Sequence, residues 1–172
     1  MLRQALAVDP LDPDIRNTLS FTLYRQGHFK AAVLEGRRMV QVRPSYVTGH
    51  FDLGLYLVAE GESQSALSEM QQETSEAARP VGVAIALSAL ARKAEADAAL
   101  RVAERESGQE FAYFVAGAHA FRGETDAAFQ WLDRAYVQKD FMLEYIKGEP
   151  LLKSLVADPR YKAFLRKMNL PE

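Results

Sequence analysis

Three histidines are the residues of this chain with the greatest potential for acid–base or metal chemistry. His28 lies in an expected turn, whereas His50 and His119 lie on the first helices of different expected helix pairs. None of them has a second histidine or a carboxylate at the i+4 spacing of a helical metal site. They are therefore interpreted as a turn residue and two packed imidazoles, and the sequence predicts no metal site.

The carboxylates are the second group with potential for chemistry, and several lie between residues 60 and 76. They are interpreted as a solvated helix face: Glu60, Glu62, Glu69, Glu73 and Glu76. A catalytic pair needs two carboxylates in opposed environments, and nothing in the sequence brings two of them together in an apolar pocket. The chain also has no cysteine, no Gly-x-Ser-x-Gly elbow and no glycine-rich phosphate loop. The sequence therefore predicts no enzyme, no catalytic residue and no cofactor.

The charge balance limits the kinds of partner. The 172 residues carry 21 Lys and Arg against 23 Asp and Glu, which gives a formal net charge of −2. Such a chain has no field for steering nucleic acid, and the pairs Arg37–Arg38 and Arg92–Lys93 are too short to form a basic stripe. No apolar run approaches the length of a membrane span, and the first residues lack the pattern of a signal peptide. We expect a cytoplasmic protein without membrane insertion.

Helical periodicity dominates the sequence, and the expected helices come in pairs. The chain can be divided into units of about 34 residues. Small residues, helix-ending glycines and prolines then recur at the same positions of successive units. The markers for positions 8, 15 and 20 of three of the pairs are Ser20, Gly27, Ala32; Gly54, Gly61, Ala66; and Ala116, Gly123, Ala128. A small residue lets two helices approach closely, and glycine at position 15 permits the left-handed conformation that ends the first helix.

These motifs resemble the tetratricopeptide repeat family. The resemblance implies an all-α, right-handed superhelix of antiparallel helix hairpins with a C-terminal capping helix. The implied boundaries are a half repeat at 1–12, helix pairs at 13–46, 47–76, 77–108 and 109–139, and a capping segment at 140–172. Gly36 departs from the family pattern, since a large side chain is usual at its position.

A narrower resemblance concerns the C-terminal half of the chain. The segments 92–100, 122–136, 151–155 and 158–161 are similar to the C-terminal repeat regions of bacterial adenylate/guanylate cyclase-like proteins and winged-helix regulators. The chain opens in the middle of a repeat, so we expect either part of a larger protein or a short protein with an incomplete first hairpin. Neither a cyclase nor a winged-helix activity is assigned to it.

Candidate binding residues follow from the family, in which the first helices of successive pairs line a concave groove. The ten main matching positions are Asn17, Phe21, Tyr24, Arg25, Phe51, Leu55, Val58, Ile85, Tyr113 and Phe121, with Val81 and Ser88 also on the third first helix and Gly117 and Ala120 on the fourth. This set is mostly aromatic and aliphatic, which is typical of binding hot spots. The expected groove would accommodate a helix or an extended peptide.

Three occupants of this groove stay open: a partner peptide or protein, the chain's own C-terminal segment, or a second copy in a homodimer. The partner could also be another domain of the full-length chain. The resemblance thus implies a non-catalytic protein–protein interaction scaffold. The alternative is a ligand-sensing regulatory module of a larger signalling or transcription protein.

Overall fold

The computed structural model describes residues 12–171, and every regular element in that range is a helix. The α-helices are α1 (Pro13–Arg25), α2 (Phe29–Val42), α3 (Gly49–Glu60), α4 (Ser63–Gln72), α5 (Ala78–Ala89), α6 (Lys93–Glu106), α7 (Ala112–Phe121), α8 (Thr125–Gln138) and α9 (Pro159–Lys167). Two 3₁₀ helices, Phe141–Tyr145 and Pro150–Leu155, lie between α8 and α9. The predicted all-helical class is confirmed for this range. Apart from Asp12, the predicted half repeat at 1–12 lies outside it.

The chain divides into two compact units, Met1–Ser107 and Gly108–Glu172. In the first unit each helix from α1 to α6 packs on the next one, and α3 also packs on α5. In the second unit α7 packs on α8 and on the 3₁₀ helix Pro150–Leu155. Among residues 12–171, no helix is both long enough and apolar enough to cross a membrane.

Four successive hairpins close with the same hydrogen-bonded turn. A backbone N–H donates to the carbonyl five residues earlier at 2.8–3.0 Å: His28 to Leu23, Glu62 to Leu57, Arg92 to Leu87 and Glu124 to His119. This is the bond of a Schellman helix end, which needs a left-handed residue just before the donor. Gly27, Gly61 and Gly123 occupy that place with φ of +77° to +91°. The three helix-ending glycines predicted from the sequence are thus confirmed.

Ala91 occupies the equivalent place in the third hairpin with φ of +56°. A Cβ atom makes this conformation unfavourable by about 1–2 kcal/mol. We expect Ala91→Gly to raise the free energy of unfolding by about 0.5–1 kcal/mol, measured by urea denaturation followed by circular dichroism. Ala98→Gly, at an exposed site inside α6, should instead lower it by about 1 kcal/mol. Equal effects of the two variants would contradict this account.

The unusual Gly36 has a packing reason. A Cβ atom there would lie 3.2 Å from Leu53 Cδ1 and 3.2 Å from Tyr56 Cδ2. The buried ring of Tyr56 lies 5.1 Å from that of Tyr24. Tyr56, from the first helix of the next pair, therefore fills the space that a large side chain at position 36 would take.

The predicted C-terminal capping segment is itself a shortened helix pair. Its contacts join residues 34 positions apart: Ser154 Oγ donates to the Ala120 carbonyl at 2.8 Å, Arg160 pairs with Asp126 at 2.7 Å, and Lys167 pairs with Asp133 at 2.8 Å. The 3₁₀ helix Pro150–Leu155 thus takes the place of a first helix against α7. Helix α9 lies beside α8 as the second helix of a further pair would, and α8 and α9 run in the same direction.

Candidate functional site

Five of the ten main groove residues predicted from the sequence belong to the core. Tyr24, Phe51, Leu55, Ile85 and Tyr113 are buried. Phe51 shows why: a Cβ atom at Gly82 of α5 would lie 3.0 Å from its ring, so this side chain fills a contact between two helices. A side chain without exposed surface has nothing to offer a partner. The expectation that these five residues line an open groove is therefore corrected.

The other five of these ten residues keep some exposed surface. Asn17, Phe21, Arg25 and Val58 are half-buried, and Phe121 of the second unit is 39% exposed. The structure brings Phe21 and Arg25 together on α1, where the guanidinium carbon lies 5.6 Å from the ring centre. This is a cation–π contact within one helix. Within the first unit, most of the predicted residues that keep exposed surface thus lie on α1, and Val58 lies on α3.

The C-terminal segment covers part of the predicted groove in the second unit. Leu151 packs on Gly117, where a Cβ atom would lie only 3.0 Å from Leu151 Cδ1. Ser154 donates its hydroxyl hydrogen to the carbonyl of Ala120. Gly117 and Ala120 are both predicted groove positions. On α7 these two positions are therefore occupied by the chain itself.

Glu73 is a buried structural group and corrects the interpretation of residues 60–76 as a solvated face. Glu73 is only 1% exposed. Its carboxylate accepts hydrogen bonds from the backbone N–H of Phe51 at 3.0 Å and from that of Ser75 at 2.8 Å. Phe51 is in the first turn of α3, whose N-cap residue, Thr48, makes no side-chain cap bond. Glu73 therefore caps α3 from the connection that follows α4.

Asp140 has the corresponding role in the second unit. Its carboxylate accepts from the backbone N–H of Tyr113, in the first turn of α7, at 3.1 Å. Its other oxygen accepts from the N–H of Met142 at 3.0 Å. One carboxylate thus joins the start of α7 to the start of the 3₁₀ helix Phe141–Tyr145. In both units a carboxylate thus stabilises the N-terminal turn of a first helix, α3 or α7, which carries partial positive charge.

Two histidines form carboxylate pairs across their hairpins. His50 Nδ1 lies 2.7 Å from Glu69 Oε2, and His119 Nδ1 lies 2.7 Å from Glu124 Oε2. Burial raises the pKa of Glu124, but hydrogen bonds from Arg122 and His119 outweigh it and leave that pKa below its ordinary value. Within residues 12–171, no group of three potential ligands surrounds a possible metal ion. The two histidine–carboxylate pairs therefore join neighbouring helices of their hairpins.

The two large apolar residues with the highest exposed fraction among residues 12–171 flank the C-terminal end of α8. Val137 is 78% exposed and Phe141 is 72% exposed. They border a groove of about 570 Å³, which we call the α8 groove. Its lining is Tyr136, Val137, Lys139, Asp140, Phe141, Leu143, Glu144, Lys167, Met168 and Asn169.

The backbone that carries Phe141 is firmly held. The N–H of Asp140 donates to the Ala135 carbonyl at 2.9 Å, and the N–H of Leu143 donates to the Asp140 carbonyl at 3.1 Å. Leu143 and Ile146 anchor the following turn in the core. Phe141 is thus presented on an ordered frame, so that a partner would bind it at little cost in conformational entropy.

The sequence prediction did not include Val137 or Phe141. A signal for Val137 was present, because the buried stripe of α8 comprises Ala128, Phe129, Leu132 and Ala135 and leaves position 137 off the stripe. Phe141 had no comparable signal, since it follows the helix in a segment assigned to the cap.

A scan against protein-family models and a search of curated proteins each found no match to this chain. A helical fold by itself does not fix a function. The case for a function therefore depends on the residues and geometry described above.

Proposed function

We propose that this chain is a non-catalytic protein-interaction module built from tetratricopeptide-like helix hairpins. The observation that carries the proposal is the repetition of one hairpin closure, from Leu23–His28 to His119–Glu124, in four successive pairs. Repeated hairpins present side chains from successive helices as an extended surface, which suits binding to another protein. The proposal includes a right-handed superhelical arrangement and a role within a larger cytoplasmic signalling protein.

The buried polar groups support a structural rather than a catalytic role for the interior. Glu73 and Asp140 bind backbone N–H groups, and the two histidine–carboxylate pairs join neighbouring helices. Each of these groups is therefore accounted for by its contribution to the fold. The apolar side chains left exposed beside the α8 groove provide the surface that a partner would cover.

Reconstitution with a purified partner tests the proposal. We expect affinity purification from an extract of the native host to recover a protein that then binds the purified chain directly in isothermal titration calorimetry. Two single variants of comparably exposed side chains, Phe141→Ser in the second unit and Val47→Ser in the first, would assign the contact to one surface. Recovery of no protein that binds directly, together with turnover of a substrate by the pure chain, would overturn the proposal.

Ligand sensing is the second candidate, because the α8 groove has the volume of a small-molecule site, for which 300–1,000 Å³ is typical. A thermal-shift screen with metabolites separates the two candidates. Saturating ligand would raise the melting temperature by mass action. A stabilising metabolite whose effect is lost in Phe141→Ser would favour sensing over protein binding.

A further inference from the structure

Some of the charged side chains that line the α8 groove already have partners within the chain, and others do not. Both oxygens of Asp140 accept backbone hydrogen bonds, and the ammonium group of Lys167 pairs with Asp133 at 2.8 Å. The side chains of Lys139 and Glu144 are exposed and form no hydrogen bond or ion pair within residues 12–171. The groove therefore keeps one cation and one anion for an external group, next to the apolar surface of Val137 and Phe141.

Lys139 is notable for its backbone as well as its charge. It ends α8 in the left-handed conformation, with φ of +58° and ψ of +41°. Residues with a Cβ atom rarely adopt this conformation, which glycine adopts without strain. A strained residue whose exposed side chain makes no polar contact within residues 12–171 is a reason to look for a function of that side chain.

From these features we infer that the α8 groove binds a peptide segment of a partner protein that carries an apolar side chain between an acidic and a basic residue. The apolar side chain packs on Val137 and Phe141, the acidic residue pairs with Lys139, and the basic residue pairs with Glu144. Complementary charges fix the direction of the bound segment, and the aromatic ring provides the buried contact. This inference rests on the proposed interaction function and names its surface and partner chemistry.

Selection from a phage-displayed library of random 12-residue peptides tests the inference on the full chain. We expect the selected peptides to share an apolar residue flanked by opposite charges, and synthetic copies to bind in fluorescence anisotropy. Phe141→Ser should weaken their Kd at least tenfold, to an extent typical of hot-spot residues, whereas Val47→Ser should leave it unchanged. High salt should weaken binding further, because the contacting charges are exposed.

Reversing the charges at positions 139 and 144 tests the two proposed ion pairs directly. Lys139→Glu and Glu144→Lys should each weaken binding about fivefold or more, and the double variant Lys139→Glu/Glu144→Lys should prefer peptides with the two charges exchanged. Lys139→Gly removes the charge and relieves the backbone. It should weaken binding without lowering the melting temperature, which separates recognition from folding.

Three results would overturn this inference. Selected peptides that bind Phe141→Ser as tightly as wild type would place the contact elsewhere and leave the proposed interaction function intact. A concentration-dependent dimer that Phe141→Ser abolishes, seen by analytical ultracentrifugation, would make a second copy the occupant. Failure to select any peptide, together with stabilisation of the groove by a metabolite, would count against both the inference and the proposed function.

Discussion

Replacing Glu73 with alanine is expected to lower the free energy of unfolding by about 3 kcal/mol. The substitution removes a buried carboxylate that accepts from two backbone N–H groups, those of Phe51 and Ser75. Hydrogen bonds to charged groups contribute about 1.5–3 kcal/mol each, and a buried donor left without a partner adds a penalty. The start of α3 also loses its cap, because the Thr48 side chain makes no cap bond. Urea denaturation followed by circular dichroism measures the loss.

Two further variants control this result. Glu76→Ala removes an exposed carboxylate from the same connection and should change the free energy of unfolding by less than about 0.5 kcal/mol. Glu73→Gln keeps the size and one acceptor oxygen, so we expect an intermediate loss. If Glu73→Ala were no more harmful than Glu76→Ala, the capping role of Glu73 would be wrong.

The second large effect is expected for Gly54→Leu, which should destabilise the chain by roughly 3 kcal/mol through overpacking. A Cβ atom at Gly54 would lie 2.5 Å from Met70 Cγ and 2.7 Å from Met70 Cε. Met70 cannot retreat easily, because it is fully buried and its Cγ also lies 2.9 Å from the Cβ position of Gly82. The added side chain must therefore displace α4 or α5.

Ala98→Leu is the comparison for Gly54→Leu, since it adds a large side chain at an exposed position of α6. Its effect should stay within about 0.5 kcal/mol. Combining Gly54→Ala with Met70→Ala gives a second check, because the added methyl group then partly fills the space that methionine vacates. The double variant should be less destabilised than the sum of the two single changes, and additive losses would count against the contact.

Much of the fold could be predicted because its signals are local. Glycine at positions 27, 61 and 123 marks helix ends through its left-handed conformation, which depends only on the residue itself. Asp158 and Pro159 mark the start of α9 in the same way, and Asp158 does accept from the N–H of Arg160 at 2.9 Å. Ala91 carried no such signal, because alanine adopts its left-handed conformation there only under the constraint of the hairpin.

The binding surface could not be predicted in the same way, since exposure depends on what lies opposite each helix. Phe51 and Tyr113 match the family's groove positions, yet helix packing buries both of them. Glu73 looks like any solvated glutamate in the sequence, and only the position of the α3 N-terminus makes it a buried cap. Phe141 is 72% exposed although its neighbour Asp140 binds the first turn of α7, a tertiary contact that the sequence does not reveal.

Helices that follow one another along the chain pack together, as described above for each unit. This packing also determines how stability is distributed among the hairpins. Each helix of α1 to α6 depends mainly on the helices just before and after it. In such an arrangement the free energy of opening one hairpin is set by its own contacts and those of its immediate neighbours, as in a one-dimensional cooperative chain. Within α1 to α6 we therefore expect a destabilising substitution to affect the adjoining helix pair most, so that one hairpin can vary in sequence while more distant ones keep their structure.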